Sequence, residues 1–377
     1  MGAWYLEDSR RQGGSQFSFP TNTHKNHAVC RGSEGGIGIH AVILAAGRGS
    51  RMSPLTDRIP KPLIPVAGMP LIDRLIAELQ VAGVQTFTIG VGWKGRLIES
   101  HLLGLSDSDR IQIVTAHDYK RGPLATLINT VGDTSPDRFL LCPADLVADA
   151  SIASELISAH DKRRENQFMT IGIDMTAQRG ALVRLDTKGS VVAFNKDVLS
   201  SHEAGRSVMM SIIERPLLDR LNEALENGHA SVSSAVNQMI SEGFEVGHVP
   251  VSGYWSDIDN ILDVLDTNQR LLQGVEASPE VGIFVQAGRT FYADDSRESL
   301  PQDLVGHGTR IVGPVLISPD SVVGSRCIVG PNASLSEGTR AEDDCQIENA
   351  VLFGHALVPK KARVRSAIVY DRLQLSE

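Results

Sequence analysis

Two glycines and two cations near the start of the chain are the first residues that could do chemistry together. The run Leu44-Ala45-Ala46-Gly47-Arg48-Gly49-Ser50-Arg51-Met52 continues an apolar strand pattern, Ala41-Val42-Ile43-Leu44, and Pro60-Lys61-Pro62-Leu63-Ile64-Pro65-Val66 comes soon after it. Glycines after a strand let backbone amides approach phosphate oxygens, and Arg51 and Lys61 can neutralise the charge of a triphosphate. Arginine grips phosphate through a planar fork; lysine brings a mobile point charge. A Gly-x-Gly pair also serves ordinary tight turns, so more specific motifs must be compared with it. A dinucleotide fingerprint needs a third Gly or Ala where Met52 stands, and a Walker loop needs Gly-Lys-Ser/Thr after a four-residue gap. Neither fits.

Further along, Phe139-Leu140-Leu141-Cys142-Pro143-Ala144-Asp145 is an apolar strand that delivers an acid at its carboxyl end. Ligands of open α/β sheets gather at that end. A lone aspartate after a strand also reads as a turn or helix-cap residue, and Asp145 by itself fits both.

The elements that must position these groups alternate short apolar runs with helical patterns up to about residue 274, as successive βα units do. Pro70 sits where a first helical turn tolerates it, and Leu71, Ile72, Leu75, Ile76 and Leu79 recur at helical spacing before Gly83. Further strands are expected at Thr86–Val91, Ile111–Val114, Phe139–Cys142, Met169–Ile173 and Val191–Phe194, with helices near 151–163, 216–227, 231–241 and 260–273. This predicts an α/β domain with a Rossmann-like, mostly parallel sheet and helices on both faces. From about residue 311 the period becomes six. Ile317, Val323, Val329, Leu335, Ala341, Ile347 and Phe353 form one column, and Val315, Ser321, Cys327, Ala333, Thr339, Cys345 and Val351 a second. A short left-handed parallel β-helix of about three coils has that period. The expected organisation is a disordered extension over 1–37, the α/β domain over 38–274, a connecting segment over 275–310 and the β-helix over 311–377.

LAAGRGSRM followed by PKPLIPVAGMP closely resembles the signature of the sugar-1-phosphate nucleotidylyltransferases, the family that includes mannose-1-phosphate guanylyltransferase and the glucose-1-phosphate thymidylyl- and uridylyltransferases. The resemblance spans about residues 39–274. It implies an enzyme that condenses an NTP with a sugar 1-phosphate to give an NDP-sugar and pyrophosphate, with Mg²⁺ as cofactor. In these terms Ala46 and Gly47 line the base and ribose, Leu44 and Ala45 join them in binding the nucleotide, Gly49 and Arg51 hold the triphosphate, and Lys61 supports the reacting phosphates. Asp145 matches one metal-binding aspartate, with Ala144 where the family has glycine. Asp257, in Gly253-Tyr254-Trp255-Ser256-Asp257-Ile258-Asp259, matches the other; Asp259 stands where glycine is usual and is expected to cap the helix that follows. Lys196 matches the lysine that holds the sugar's phosphate, and Gly180 a glycine whose backbone faces the sugar. Gly122 alone matches cleanly in the base-contacting loop Arg121–Thr126, and Val208-Met209-Met210-Ser211 replaces a sugar-facing Asn-Ala-Gly. Base and sugar therefore stay open.

Composition excludes several other classes. A formal charge of −9 offers no global field for nucleic acid or an acidic membrane, and no window approaches the length of a membrane span. Met1-Gly2 is not a myristoylation signal, because Leu6 stands where Ser or Thr is required. Cys30, Cys142, Cys327 and Cys345 lack metal or redox spacing and read as buried apolar residues. A cytoplasmic homo-oligomer that contacts no nucleic acid and no membrane is the expectation. Two other readings stand beside the enzyme: a noncatalytic regulatory subunit on the same fold, and a bifunctional acyltransferase using His355 of the β-helix.

Overall fold

The computed structural model describes residues 38–132, 136–163, 167–195, 203–274, 283–286, 288–292 and 304–376. The 1–37 extension, Lys196 and much of the connecting segment lie outside the described residues.

A parallel core runs Ile111–Thr115, Val84–Val91, Ile39–Ala45, Arg138–Pro143 in spatial order. Its two central strands, Ile39–Ala45 and Arg138–Pro143, are buried on both faces, which is why they read as continuous apolar runs rather than alternating ones. Seven helices of the described chain follow in order: α1 Leu71–Val81, α2 Gly95–Leu102, α3 Pro123–Val131, α4 Ala150–Asp161, α5 Pro216–Glu226, α6 Val232–Ser241 and α7 Ile261–Leu272. Two separate cores fill the faces. One joins α1, α2 and α4 to the sheet, and the other joins α3, α5 and α6 to the opposite side. Helix α3 was not expected from the sequence; Leu124, Ala125, Thr126, Leu127, Thr130 and Val131 are all buried, so it shows no polar stripe.

Chain order places the site. After Ile39–Ala45 the next two strands of the core are added on one side, and then Arg138–Pro143 joins on the other. The crevice where this order reverses lies beyond the carboxyl ends of Ile39–Ala45 and Arg138–Pro143. Gly47 and Asp145 follow those two ends.

Beyond Arg138–Pro143 the sheet turns antiparallel through the long strand Glu203–Glu214, which pairs with Arg138–Pro143, Met169–Asp174 and Ala181–Leu185. Its register shifts between Ser207 and Ser211, and Met209 takes a left-handed φ of 61° there. The residues that depart from the family's sugar-facing segment therefore form a bulge in mid-strand.

The C-terminal parallel strands form a β-helix. Arg310 pairs with Ile328 and Ile328 with Gln346, so each of these coils takes eighteen residues; Gln346 pairs with Arg363, a step of seventeen. That one-residue shortening, at Asn349 with φ 47°, corrects the expected columns. Ala350 and Leu352 point into the solenoid core, while Val351 and Phe353 point outward. His355 lies at a left-handed turn over Gly338, where a Cβ would sit 2.1 Å from its Nδ1.

The outward residues have a partner. Val351, Phe353 and Ile368 pack with Met52, Ile64, Val66, Leu71, Val264 and Leu265 in one buried cluster. Asn268 of α7, fully buried, accepts from the Ala67 amide at 3.0 Å and from the Ser334 hydroxyl, and donates to the Asn332 carbonyl at 3.2 Å. The β-helix thus braces the segment that carries Arg51 and Lys61. Phe353→Ala should cost about 3–5 kcal/mol in urea unfolding, the usual range for emptying a buried aromatic site. A loss below about 1 kcal/mol would mean that this contact does not hold the two parts together.

Candidate active site

The loop after Ile39–Ala45 is shaped by contacts that fix it from both sides. Gly49 adopts φ 65°, and a Cβ there would lie 3.1 Å from Thr56 and 3.3 Å from the Lys61 side chain. Glycine is needed because the loop turns left-handed against Lys61. Met52, fully buried, pins the following turn, and Thr56 donates its hydroxyl to the Gly49 carbonyl at 2.9 Å. Trp93 closes the outer side. Its amide donates to the Ala46 carbonyl at 3.0 Å, its indole to the Thr56 carbonyl at 2.9 Å, and the Arg48 guanidinium lies 4.7 Å over its ring. Arg48 and Ser53 both donate to Asp57.

The acids are brought together by a two-stranded ribbon. Leu146–Ala148 pairs antiparallel with Trp255–Asp257, with Asp257 opposite Leu146, and the Ile258 amide donates to the Asp145 carbonyl at 3.1 Å. Residues more than a hundred positions apart therefore share one site. Asp145, Asp257 and Asp259 each offer an oxygen within 4.8 Å of the others.

Asp259 corrects the sequence reading. Asn260 caps α7, accepting from the Asp263 amide, while Asp263 accepts from the Asn260 amide at 3.0 Å and the Asp259 amide at 2.8 Å. The Asp259 side chain is free of capping. It reaches Arg51 and lies 3.4 Å from the Lys61 ammonium, which is itself 2.5 Å from Asp145. Sequence alone could not have shown this, because a good cap one residue later is what releases Asp259.

Leu44, Ala45, Gly47, Gly49, Arg51, Lys61 and Asp145, all singled out from sequence, line one cleft of about 320 Å³. Ser50, Pro62, Pro123, Ala144 and Asp259 line it as well, and Gly122 is the residue just before α3. Ala46 is turned inward, with its carbonyl held by Trp93. Gly180 does not line the cleft: it packs under Trp255, whose ring a Cβ there would meet at 2.6 Å. Trp255 in turn donates to Asp174 at 3.0 Å, and Arg206 reaches the Gly180 carbonyl.

Burial, joined by the charges of Asp145 and Asp259 and opposed by Lys61, pushes the Asp257 carboxyl up to about 7. Three carboxylates with too little positive charge around them form a donor set that suits a hard divalent cation.

Open α/β topology, a glycine loop at the switch point and an acid cluster facing two cations make a cleft whose chemistry suits phosphate groups. The chain belongs to the MobA-like NTP transferase domain family, whose model matches residues 41–239, and the GMPPB C-terminal domain model matches residues 311–377. It is 24% identical to a probable mannose-1-phosphate guanylyltransferase 1 of Oryza sativa subsp. japonica, over 87% of this chain and 85% of that one. It is also 24% identical to a mannose-1-phosphate guanylyltransferase of Mycobacterium tuberculosis, covering 82% and 83% of the two chains. Among solved structures, the inositol-1-phosphate CTP transferase from T. maritima superposes with a TM-score of 0.52 at 18% identity, covering 64% of this chain and 99% of that one. At that identity the superposition speaks for the fold. The resemblance to sugar-1-phosphate nucleotidylyltransferases is borne out, and no helix among the described residues is long and apolar enough to cross a membrane.

The raised carboxyl gives a pH dependence with a definite sign. In protein stripped of divalent cations, folded Asp257 keeps its proton until about pH 7, whereas the unfolded chain releases it near 3.8. The native state binds more protons across that window, so its stability falls as pH rises through it. Urea unfolding with a chelator, at about pH 5 and about pH 8, should show wild type losing more stability than Asp257→Asn over that interval. Equal losses would contradict the assignment.

Proposed function

We propose that the chain is a magnesium-dependent nucleotidylyltransferase that makes an NDP-sugar and pyrophosphate from an NTP and a sugar 1-phosphate. The observation that carries this reading is the convergence of Arg51, Lys61 and Asp145 on one cleft at the switch point of the sheet, with a carboxylate oxygen of Asp257 within 4.8 Å of one of Asp145. A sugar phosphate oxygen attacks the α-phosphorus in line; the bond to the bridging oxygen of the β-phosphate breaks, and pyrophosphate leaves with the electron pair.

Asp145 and Asp257 would hold Mg²⁺, which supplies charge neutralisation of the phosphates and polarises the phosphoryl oxygens. The chain's own groups do the rest. The loop backbone around Gly47 and Gly49 fits the approach of phosphate oxygens, Arg51 and Lys61 stabilise charge on the transition state and on departing pyrophosphate, and no enzyme nucleophile is required. Ala46 and Gly47 are assigned to the base and ribose, and Leu44, Ala45 and Gly122, just before α3, to nucleotide binding. Gly180 and Lys196 are assigned to the sugar phosphate.

Asp145→Asn and Asp257→Asn should each lower pyrophosphate release by about a hundredfold or more, because each removes charge from the centre that organises the phosphates. Near-normal turnover in either purified variant would sink the assignment. Lys61→Ala should lower turnover, while Lys196→Ala should chiefly raise the KM for the sugar phosphate. Unchanged sugar-phosphate kinetics in Lys196→Ala would remove that residue from the site.

A further inference from the structure

We propose that Asp259 is an internal anion that occupies the polyphosphate-binding cations of the nucleotide-free protein and must be displaced when a nucleotide enters. The inference rests on the reading of the cleft as a polyphosphate site. One oxygen of Asp259 contacts the Arg51 guanidinium and the other lies 3.4 Å from the Lys61 ammonium. A single carboxylate thus spans a guanidinium and an ammonium, as two oxygens of one phosphate group would.

The position is built into the fold. The Asp259 amide is held by Asp263, and Asn260 does the capping of α7, so the Asp259 side chain projects over the cleft rather than onto its own helix. Lys61 is nearly buried, 7% exposed, and can turn little; Arg51, 69% exposed on its side chain, is otherwise free to swing. Asp259 fixes that mobile guanidinium over the cleft.

A polyphosphate and a carboxylate cannot share the same two cations, since like charges at about 4 Å repel even where water screens them. Binding therefore includes the loss of the Asp259 contacts, and the measured affinity is reduced by the population of the competing state. Asp259 lowers affinity and keeps Arg51 in place, two effects that a mutation separates.

The test uses inorganic tripolyphosphate, which carries the charge without a base, in the presence of a chelator. Calorimetric titration of wild type, Asp259→Asn, Arg51→Ala and the double variant gives a thermodynamic cycle. Asp259→Asn should bind about threefold to tenfold more tightly than wild type, the scale of a partly exposed ion pair lost together with nearby repulsion. In the Arg51→Ala background the gain should be smaller, about twofold to threefold, because the Arg51 contact is already gone while the Lys61 contact remains. Unchanged affinity in Asp259→Asn would overturn the proposal, and so would an equal gain with Arg51 absent, which would mark simple repulsion. Failure of both wild type and Asp259→Asn to bind would contradict the polyphosphate reading itself, and the role of Asp259 with it.

Discussion

The Lys61 ammonium, nearly buried between Asp145 and Asp259, is the contact on which the site depends. Three carboxylates cannot crowd within a few ångströms unless something positive holds them, and a buried charge is tolerated only when paired. Lys61 meets part of that need; the Asp257 carboxyl, raised first by burial and then by the charges of Asp145 and Asp259, shows that it does not meet all of it. The same imbalance that makes the acids uncomfortable alone makes the cleft receptive to a divalent cation and the phosphates it accompanies.

Holding Lys61 there takes elements from the whole molecule. Its single helical turn lies between Gly49 and the buried cluster of Ile64, Val66 and Leu71. Phe353 and Ile368 of the β-helix close that cluster from the far side, and Asn268 ties the Ala67 amide to Ser334. Among the described residues the β-helix contributes no side chain to the cleft, yet it supports the back of the loop that does. The shortened coil at Asn349 is what turns Val351 and Phe353 outward for this purpose.

Sequence carried the short-range part of the site well. Gly47, Gly49, Arg51 and Lys61 lie within one stretch whose residue types already speak for phosphate, and the strands of the parallel core are long apolar runs. Asp257 was identified only through resemblance, because the ribbon that seats it beside Asp145 pairs two three-residue strands too short to announce themselves. Trp93, Thr56 and Asn268 were not legible at all: each acts through contacts made across the fold, and none belongs to a local pattern. Asp259 was misread as a cap because Asn260 and Asp263 form a complete box one position later. The outward turn of Phe353 was missed for a related reason, since a strict six-residue count cannot register one absent residue.

In the proposed reaction the cleft directs attack to the α-phosphorus of a nucleoside triphosphate. Phosphorus-31 NMR of the protein with Mg²⁺, each NTP in turn and a panel of sugar 1-phosphates reads the bond that breaks. Pyrophosphate and a nucleotide sugar are expected in equal amounts for at least one pair, with none when the metal is chelated. Orthophosphate and nucleoside diphosphate in their place, or no phosphorus product from any pair, would contradict it.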